Sequence, residues 1–162
     1  MAPDSPEALL ARQSADEALA ATCFVAGTLV LTPTGYRAIE TLPVAEWVLA
    51  CDPETGVVKA GQILQTFVRE VAVVLDIQVG EETITCTPEH PFWVPGQGGV
   101  QAGELQLGDA LISSTGVLCE VKNTQANQER TRVYTIKVEE LHTYFVTTLG
   151  ILVHNANCDP RS

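Results

Sequence analysis

The chain has 162 residues, 46% of them hydrophobic and 18% charged, and its 9 Lys and Arg against 20 Asp and Glu give a formal net charge of −11. This is the composition of a packed globular protein, and the length suits one domain that folds without disulfides. A phosphate-binding face needs a basic stripe; Lys and Arg form no cluster, so the acidity argues against a nucleic-acid partner and speaks mostly to solubility.

No apolar run approaches the roughly 20 residues that cross a bilayer, so no membrane partner is expected. Met1 to Leu10 carry Asp4 and Glu7 and no basic region, and do not read as a signal peptide. Localisation is left open. Cys23, Cys51, Cys86, Cys119 and Cys158 are odd in number and irregular in spacing. They form neither a disulfide framework nor a CxxC metal knuckle, at least one thiol is free, and no cofactor is expected.

In chain order, Ser5 can cap a helix and Pro6 suits its first turn, so a helix is predicted over about Pro6 to Ala20, ending just before Thr22-Cys23. From Cys23 onward the texture is β. Strands are predicted at Thr28–Thr32, Trp47–Asp52, Val57–Gln65, Val71–Val79 and Thr83–Cys86, then at Ala110–Ser113, Val117–Gln125, Arg132–Val138, Thr143–Thr147 and Ile151–Val153. Turn signals separate them, among them Pro33-Thr34-Gly35, Asp52-Pro53-Glu54-Thr55-Gly56 and Ser114-Thr115-Gly116. Many short strands without intervening helices indicate an all-β unit.

The β region echoes itself. Leu42-Pro43-Val44-Ala45-Glu46-Trp47-Val48-Leu49 lines up with Leu105-Gln106-Leu107-Gly108-Asp109-Ala110-Leu111-Ile112, and Val74 to Val79 lines up with Val133 to Val138. The shared order of the two matches points to two β subdomains related by an approximate two-fold axis.

Four features stand out chemically: Cys23, Thr87-Pro88-Glu89-His90, His142 and His154-Asn155. They carry a resemblance. Cys23-Phe24-Val25-Ala26-Gly27-Thr28 resembles the opening block of the Hint (Hedgehog and intein) superfamily, and Thr87-Pro88-Glu89-His90-Pro91 its Thr-x-x-His block. Val133 to Val146, with His142-Thr143-Tyr144-Phe145, is similar to the penultimate block, and Gly150 to Asn155 to the last. The ending Val153-His154-Asn155-Ala156 looks most like bacterial intein-like and pretoxin Hint domains.

The resemblance implies a horseshoe of two β subdomains over residues 23–155, with residues 1–22 and 156–162 as flanking host segments. It also implies a single-turnover reaction on the chain's own backbone, and a place within a larger secreted or surface bacterial protein. Cys23 would attack the preceding carbonyl and convert the Thr22–Cys23 amide to a thioester, with His90 as acid/base and Thr87 orienting the peptide or helping to hold the oxyanion. Asn155 would cyclise onto its own carbonyl and release Ala156 onward, assisted by His154 and His142.

Two departures shape the expected outcome. Thr135 stands where many inteins have Asp or Cys, and Ala156 stands where they have Cys, Ser or Thr. Separate N- and C-terminal cleavages are therefore expected, with water or an added thiol or amine opening the thioester. Cys158 is a possible alternative acceptor, which would make the domain a mini-intein with a non-standard acceptor. A zinc-binding structural module, a Cys/His hydrolase acting on other molecules and an inactive scaffold are the rival readings. A monomer is expected. Cys51, Cys86 and Cys119 read as small buried hydrophobes within strands.

Overall fold

A computed structural model describes residues 23–52, 55–140 and 143–154. The predicted helix at Pro6–Ala20 lies outside them. Fourteen strands run in chain order: β1 (Phe24–Val25), β2 (Leu29–Thr32), β3 (Gly35–Ala38), β4 (Trp47–Cys51), β5 (Val58–Val71), β6 (Val74–Val79), β7 (Glu82–Cys86), β8 (Pro91–Val94), β9 (Gly98–Gln101), β10 (Ala110–Ile112), β11 (Leu118–Asn127), β12 (Thr131–Val138), β13 (Thr143–Val146) and β14 (Ile151–His154). One-turn 3-10 helices at Ile39–Thr41 and Ala102–Glu104 precede β4 and β10. Every strand predicted from the sequence is present, and the class is all-β.

The strands form an eight-stranded sheet in the order β10-β11-β6-β7-β1-β12-β5-β4 and a six-stranded sheet in the order β3-β2-β13-β14-β8-β9. Both orders read as palindromes once β1–β6 are matched to β7–β12. The pseudo-two-fold axis therefore passes between β1 and β7 in one sheet and between β13 and β14 in the other. The last strand of each half is exchanged: β6 pairs with β11 of the second half, and β12 pairs with β5 of the first.

Backbone hydrogen bonds repeat with the same symmetry. Ile39 N–H donates to Thr28 and Ala102 N–H to His90, both at 2.8 Å. Thr28 N–H donates to Val25 at 3.3 Å and His90 N–H to Thr87 at 3.2 Å. Ala45 and Ile63 are joined in the first half as Gly108 and Val121 are in the second. Thr28 thus occupies in the first half the place that His90 occupies in the second.

The core lies between the sheets and is made of alternate strand residues. Phe24, Ile77, Ile84, Phe92, Ile136 and Tyr144 are among its large, fully buried members. All four residues of β13 are buried, so this strand reads as a continuous run rather than an alternation.

Four strands have weak sequence signals. β1 has two residues, β3 starts on Gly35, β8 starts on Pro91, and β9 begins Gly98-Gly99. Proline and glycine read as turn residues, but Pro91 occupies the first residue of its strand, where it is tolerated. β5 runs on to Val71, beyond the predicted Gln65, because it serves two partners: β4 along its first part and β12 along its second. Its second part is largely exposed, and its apolar residues Leu64, Phe67, Val68 and Val71 do not alternate with polar ones, which hides it from a period-two pattern.

The repeat yields a stability test. Ala45 is held at φ 78° and its repeat mate Gly108 at φ 92°. Ala45 is exposed, so its methyl group adds no packing while the left-handed backbone strains it. Ala45→Gly is expected to stabilise the fold by about 1 kcal/mol and Gly108→Ala to destabilise it by about as much, read from denaturant midpoints. A Cβ at Gly108 would meet no atom within 4 Å, so the second value isolates the backbone term.

Candidate active site

Cys23 is fully buried at the entrance to β1, beside the axis. Its backbone N–H donates to Thr87 Oγ1 at 2.9 Å, and its carbonyl accepts from Thr87 N–H at 2.9 Å. Thr87 Oγ1 also lies 3.4 Å from that carbonyl. One threonine therefore grips both polar groups of Cys23. The nitrogen it holds is that of the Thr22–Cys23 peptide bond.

Thr87 opens a tight turn that ends at His90. Gly103 N–H donates to the Pro88 carbonyl and Ala102 N–H to the His90 carbonyl, each at 2.8 Å, so the second 3-10 helix clamps the turn from behind. A Cβ at Gly103 would meet the Pro88 carbonyl at 3.4 Å, an ordinary contact distance.

His90 is fully buried. Its ring lies 4.3 Å from the Phe24 ring, centroid to centroid, 5.9 Å from Phe92 and 6.4 Å from Tyr144. Nδ1 lies 3.3 Å from the Pro91 carbonyl. A carbonyl only accepts, so this contact favours the tautomer with hydrogen on Nδ1 and a lone pair on Nε2.

Phe24 faces Tyr134 and Val25 faces Val133 across β1 and β12; β1 begins one residue after Cys23, and Thr135 follows Tyr134 in β12. Thr135 and Tyr144 are both buried. Neither hydroxyl has a partner of full hydrogen-bond geometry among the described residues, although the Thr135 hydroxyl lies close enough to Tyr144 to favour its ionised form. This weak approach, not a formed hydrogen bond, is the relation between them.

The far end of the domain approaches the same turn. β14 pairs with β8 through Val153 and Phe92 and with β13 through His154 and Thr143. It runs antiparallel to β8, so its carboxyl end heads back toward the Thr87–His90 turn. Thr143 repeats the Thr87 grip on another cysteine: its Oγ1 accepts from Cys51 N–H at 2.9 Å and donates to the Cys51 carbonyl at 2.8 Å.

Of the residues singled out in the sequence, Cys23, Thr87 and His90 come together. His154 ends β14, and its side chain lies outside the described residues, as do Thr22, His142, Asn155, Ala156 and Cys158. Tyr144 was not singled out. Its signal was a hydroxyl-bearing ring within a run that is otherwise buried and apolar apart from Thr143. Among the described residues no three His, Cys, Asp or Glu side chains converge as a metal site would require.

Burial pushes the Cys23 thiol up to about 12; exposed Arg69 opposes the rise and Glu89 adds to it. Burial also raises Cys86, with Asp76 and Glu89 adding, and raises Tyr144, whose phenolate Thr135 favours and the Cys23 and Cys86 sulfurs disfavour. Burial therefore holds the Cys23 thiol in its protonated form at pH 7.

Residues 29–156 match the family model of the pretoxin HINT domain. The chain belongs to the pretoxin Hint family. The solution structure of the bacterial intein-like domain from Clostridium thermocellum is 41% identical over 82% of this chain and 98% of that one, with a TM-score of 0.80. The gp41-1 intein (22% identity; 83% of this chain, 98% of that one; TM-score 0.69) and a DnaB intein from Synechocystis sp. PCC 6803 (17%; 83% and 98%; 0.72) share the fold. No curated protein matches the chain.

The raised thiols and phenol carry a pH dependence of stability. Each group holds its proton more tightly folded than unfolded, so its contribution is complete below the unfolded thiol value and is lost as pH rises. Urea midpoints of this Hint domain are expected to stay level up to about pH 8.5, then to fall steadily toward pH 12. The fall should be shallower in Cys86→Ala. A profile flat through pH 11 would show that the thiols ionise without penalty.

Proposed function

We propose that this Hint domain cleaves its own chain at both ends, with little or no splicing. At the N-terminal end the Cys23 sulfur attacks the Thr22 carbonyl carbon. The S–C bond forms, the C–N bond breaks, and the thiol proton ends on the freed Cys23 amine. The observation that carries this reading is the Thr87 grip: the nitrogen that must leave is already hydrogen-bonded at 2.9 Å within a fully buried site. Held there, the scissile amide pays little orientation entropy at the moment of reaction.

His90 is the acid/base of this step: its Nε2 lone pair takes the proton from the Cys23 thiol and returns it to the departing nitrogen. Its place at the end of the Thr87 turn, packed against the Phe24 ring next to Cys23, supports this role. With so little preformed thiolate, proton loss from sulfur must accompany bond formation rather than precede it.

At the C-terminal end the Asn155 carboxamide nitrogen attacks its own carbonyl carbon. A succinimide closes and the amine of Ala156 leaves, with His154 polarising the carbonyl and His142 aiding proton transfer. Such an intramolecular step gains up to about 7–11 kcal/mol from placement alone. The direction of β14 toward the Thr87–His90 turn supports one shared site for both reactions. Ala156 has no nucleophile, so the thioester passes to water, a thiol or an amine, and Cys158 is the remaining acceptor in the chain. The acting partner is thus the domain's own flanking polypeptide, processed as a monomer.

Intact-mass measurement of freshly made protein over time, with and without added thiol, tests this. Species separated at Thr22–Cys23 and at Asn155–Ala156 are expected. Cys23→Ala should abolish the first and Asn155→Ala the second, while His90→Ala slows the first by about 10²–10⁴-fold. A full-length mass that persists under thiol would refute the reading. A product joining residues 1–22 to the segment after Asn155 would restore splicing.

A further inference from the structure

A thioester at Cys23 has to be opened by an external nucleophile, and the surroundings of Cys23 differ on its two sides. Phe24, the next residue, turns into the main core among the rings of His90 and Tyr144. Cys23 belongs instead to a separate small cluster with Val74 and Val133, to which half-buried Val25 and Val71 are packed. Strand alternation accounts for the split: Phe24 and its partner Cys86 take the core face of the sheet, and Cys23 and Val25 take the other. Further along that second face the Gln78–Thr83 pair is exposed, so it is the solvent side of the sheet.

The registers carry this face to a charge. Val25 faces Val133 across β1 and β12, and Val133 faces Arg69 across β12 and β5. Directly paired residues share a face, so Arg69 stands on the same side of the sheet as Cys23, two strands from Val25 and roughly 10 Å from it at the backbone.

Arg69 is exposed and makes no ion pair or hydrogen bond among the described residues, whereas Arg37 is paired with Glu46 and Arg130 with Glu70. In a chain of formal net charge −11, an unneutralised cation beside the reacting residue is a local exception. Its field reaches the Cys23 sulfur and favours negative charge there. Glu89, the charged group that acts against it, lies on the other side of β1, in the turn after β7.

We propose that Arg69 selects the nucleophile that opens the Cys23 thioester, favouring anionic thiolates that approach across the solvent face of the large sheet. The incoming sulfur bonds to the Thr22 carbonyl carbon, the bond from that carbon to the Cys23 sulfur breaks, and the electron pair leaves on Cys23, which takes a proton from solvent. Arg69 stays protonated throughout and forms no bond. It offsets the repulsion that an acidic protein exerts on an arriving anion. The inference rests on the N-terminal cleavage proposed above and names the chemical class of its co-substrate.

The test uses three thiols of similar size on the full chain: cysteamine, 2-mercaptoethanol and 2-mercaptoethanesulfonate, whose thiolate forms carry zero, one and two net negative charges. Cleavage at Thr22–Cys23 is timed by intact mass at low ionic strength, with thiol dilute enough that the rate is proportional to it, and rates are expressed per thiolate. Wild type is compared with Arg69→Gln, Arg69→Glu and Arg132→Glu. Arg132 is also exposed but adjoins Val133 in β12, so it turns to the opposite face while changing the net charge equally.

The sulfonate-to-cysteamine rate ratio should fall about threefold in Arg69→Gln and about tenfold in Arg69→Glu, with 2-mercaptoethanol between the two thiols. It should stay within about twofold of wild type in Arg132→Glu, and about 0.5 M salt should erase most of the difference. A merely structural arginine would slow all three thiols by one common factor. Ratios unmoved in Arg69→Glu, a shift as large in Arg132→Glu, or a wild-type rate indifferent to the thiol would overturn the selection and leave the cleavage reading standing. A wild-type chain that no thiol cleaves at Thr22–Cys23 would overturn both.

Discussion

The grip of Thr87 on Cys23 is the contact on which the rest of the site depends. Cys23 sits at the start of a two-residue strand, too short to hold itself in place by its own ladder. Thr87 supplies what the strand lacks, taking the cysteine N–H on its hydroxyl and giving its own N–H to the cysteine carbonyl. With both polar groups satisfied, Cys23 can be buried completely without the penalty of orphaned backbone atoms. The same grip recurs where Thr143 holds Cys51, so it is a device of the fold used twice.

The scaffold is symmetric and its chemistry is not. The two halves build equivalent turns, Val25-Ala26-Gly27-Thr28 and Thr87-Pro88-Glu89-His90, closed by equivalent backbone hydrogen bonds. Only the second carries the threonine that reaches across the axis and the imidazole that follows it. In the first, Thr28 spends its hydroxyl on the Val25 carbonyl at 2.8 Å. Across the axis, Thr85 donates to Asp76, while Cys23 and Thr135 stand at the corresponding places in the chain.

Much of this was legible in the sequence, for identifiable reasons. The longer strands announce themselves by β-branched and aromatic content, and the echo of Leu42–Leu49 in Leu105–Ile112 anticipates the shared left-handed backbone of Ala45 and Gly108. Cys23, Thr87 and His90 were legible as a set because their order along the chain is itself a pattern. Of the strands that escaped notice, β1 is only two residues long, and β3, β8 and β9 begin with glycine or proline, whose turn propensity outweighs their pairing until the neighbours are known. Tyr144 escaped because nothing local separates it from any other buried core tyrosine; its approach to Phe24 and His90 comes from packing between residues far apart in the chain.

The exchange of β6 and β12 between the halves governs when the Cys23 site can be complete. During synthesis Cys23 leaves the ribosome early, long before Thr135 and Tyr144 exist. Because β12 packs against β1 rather than staying with its own half, the walls around Cys23 are unfinished until nearly the whole domain has emerged. Pairings across such long chain separations also form slowly. The interlocked topology therefore ties completion of the surroundings of Cys23 to synthesis of nearly the whole domain.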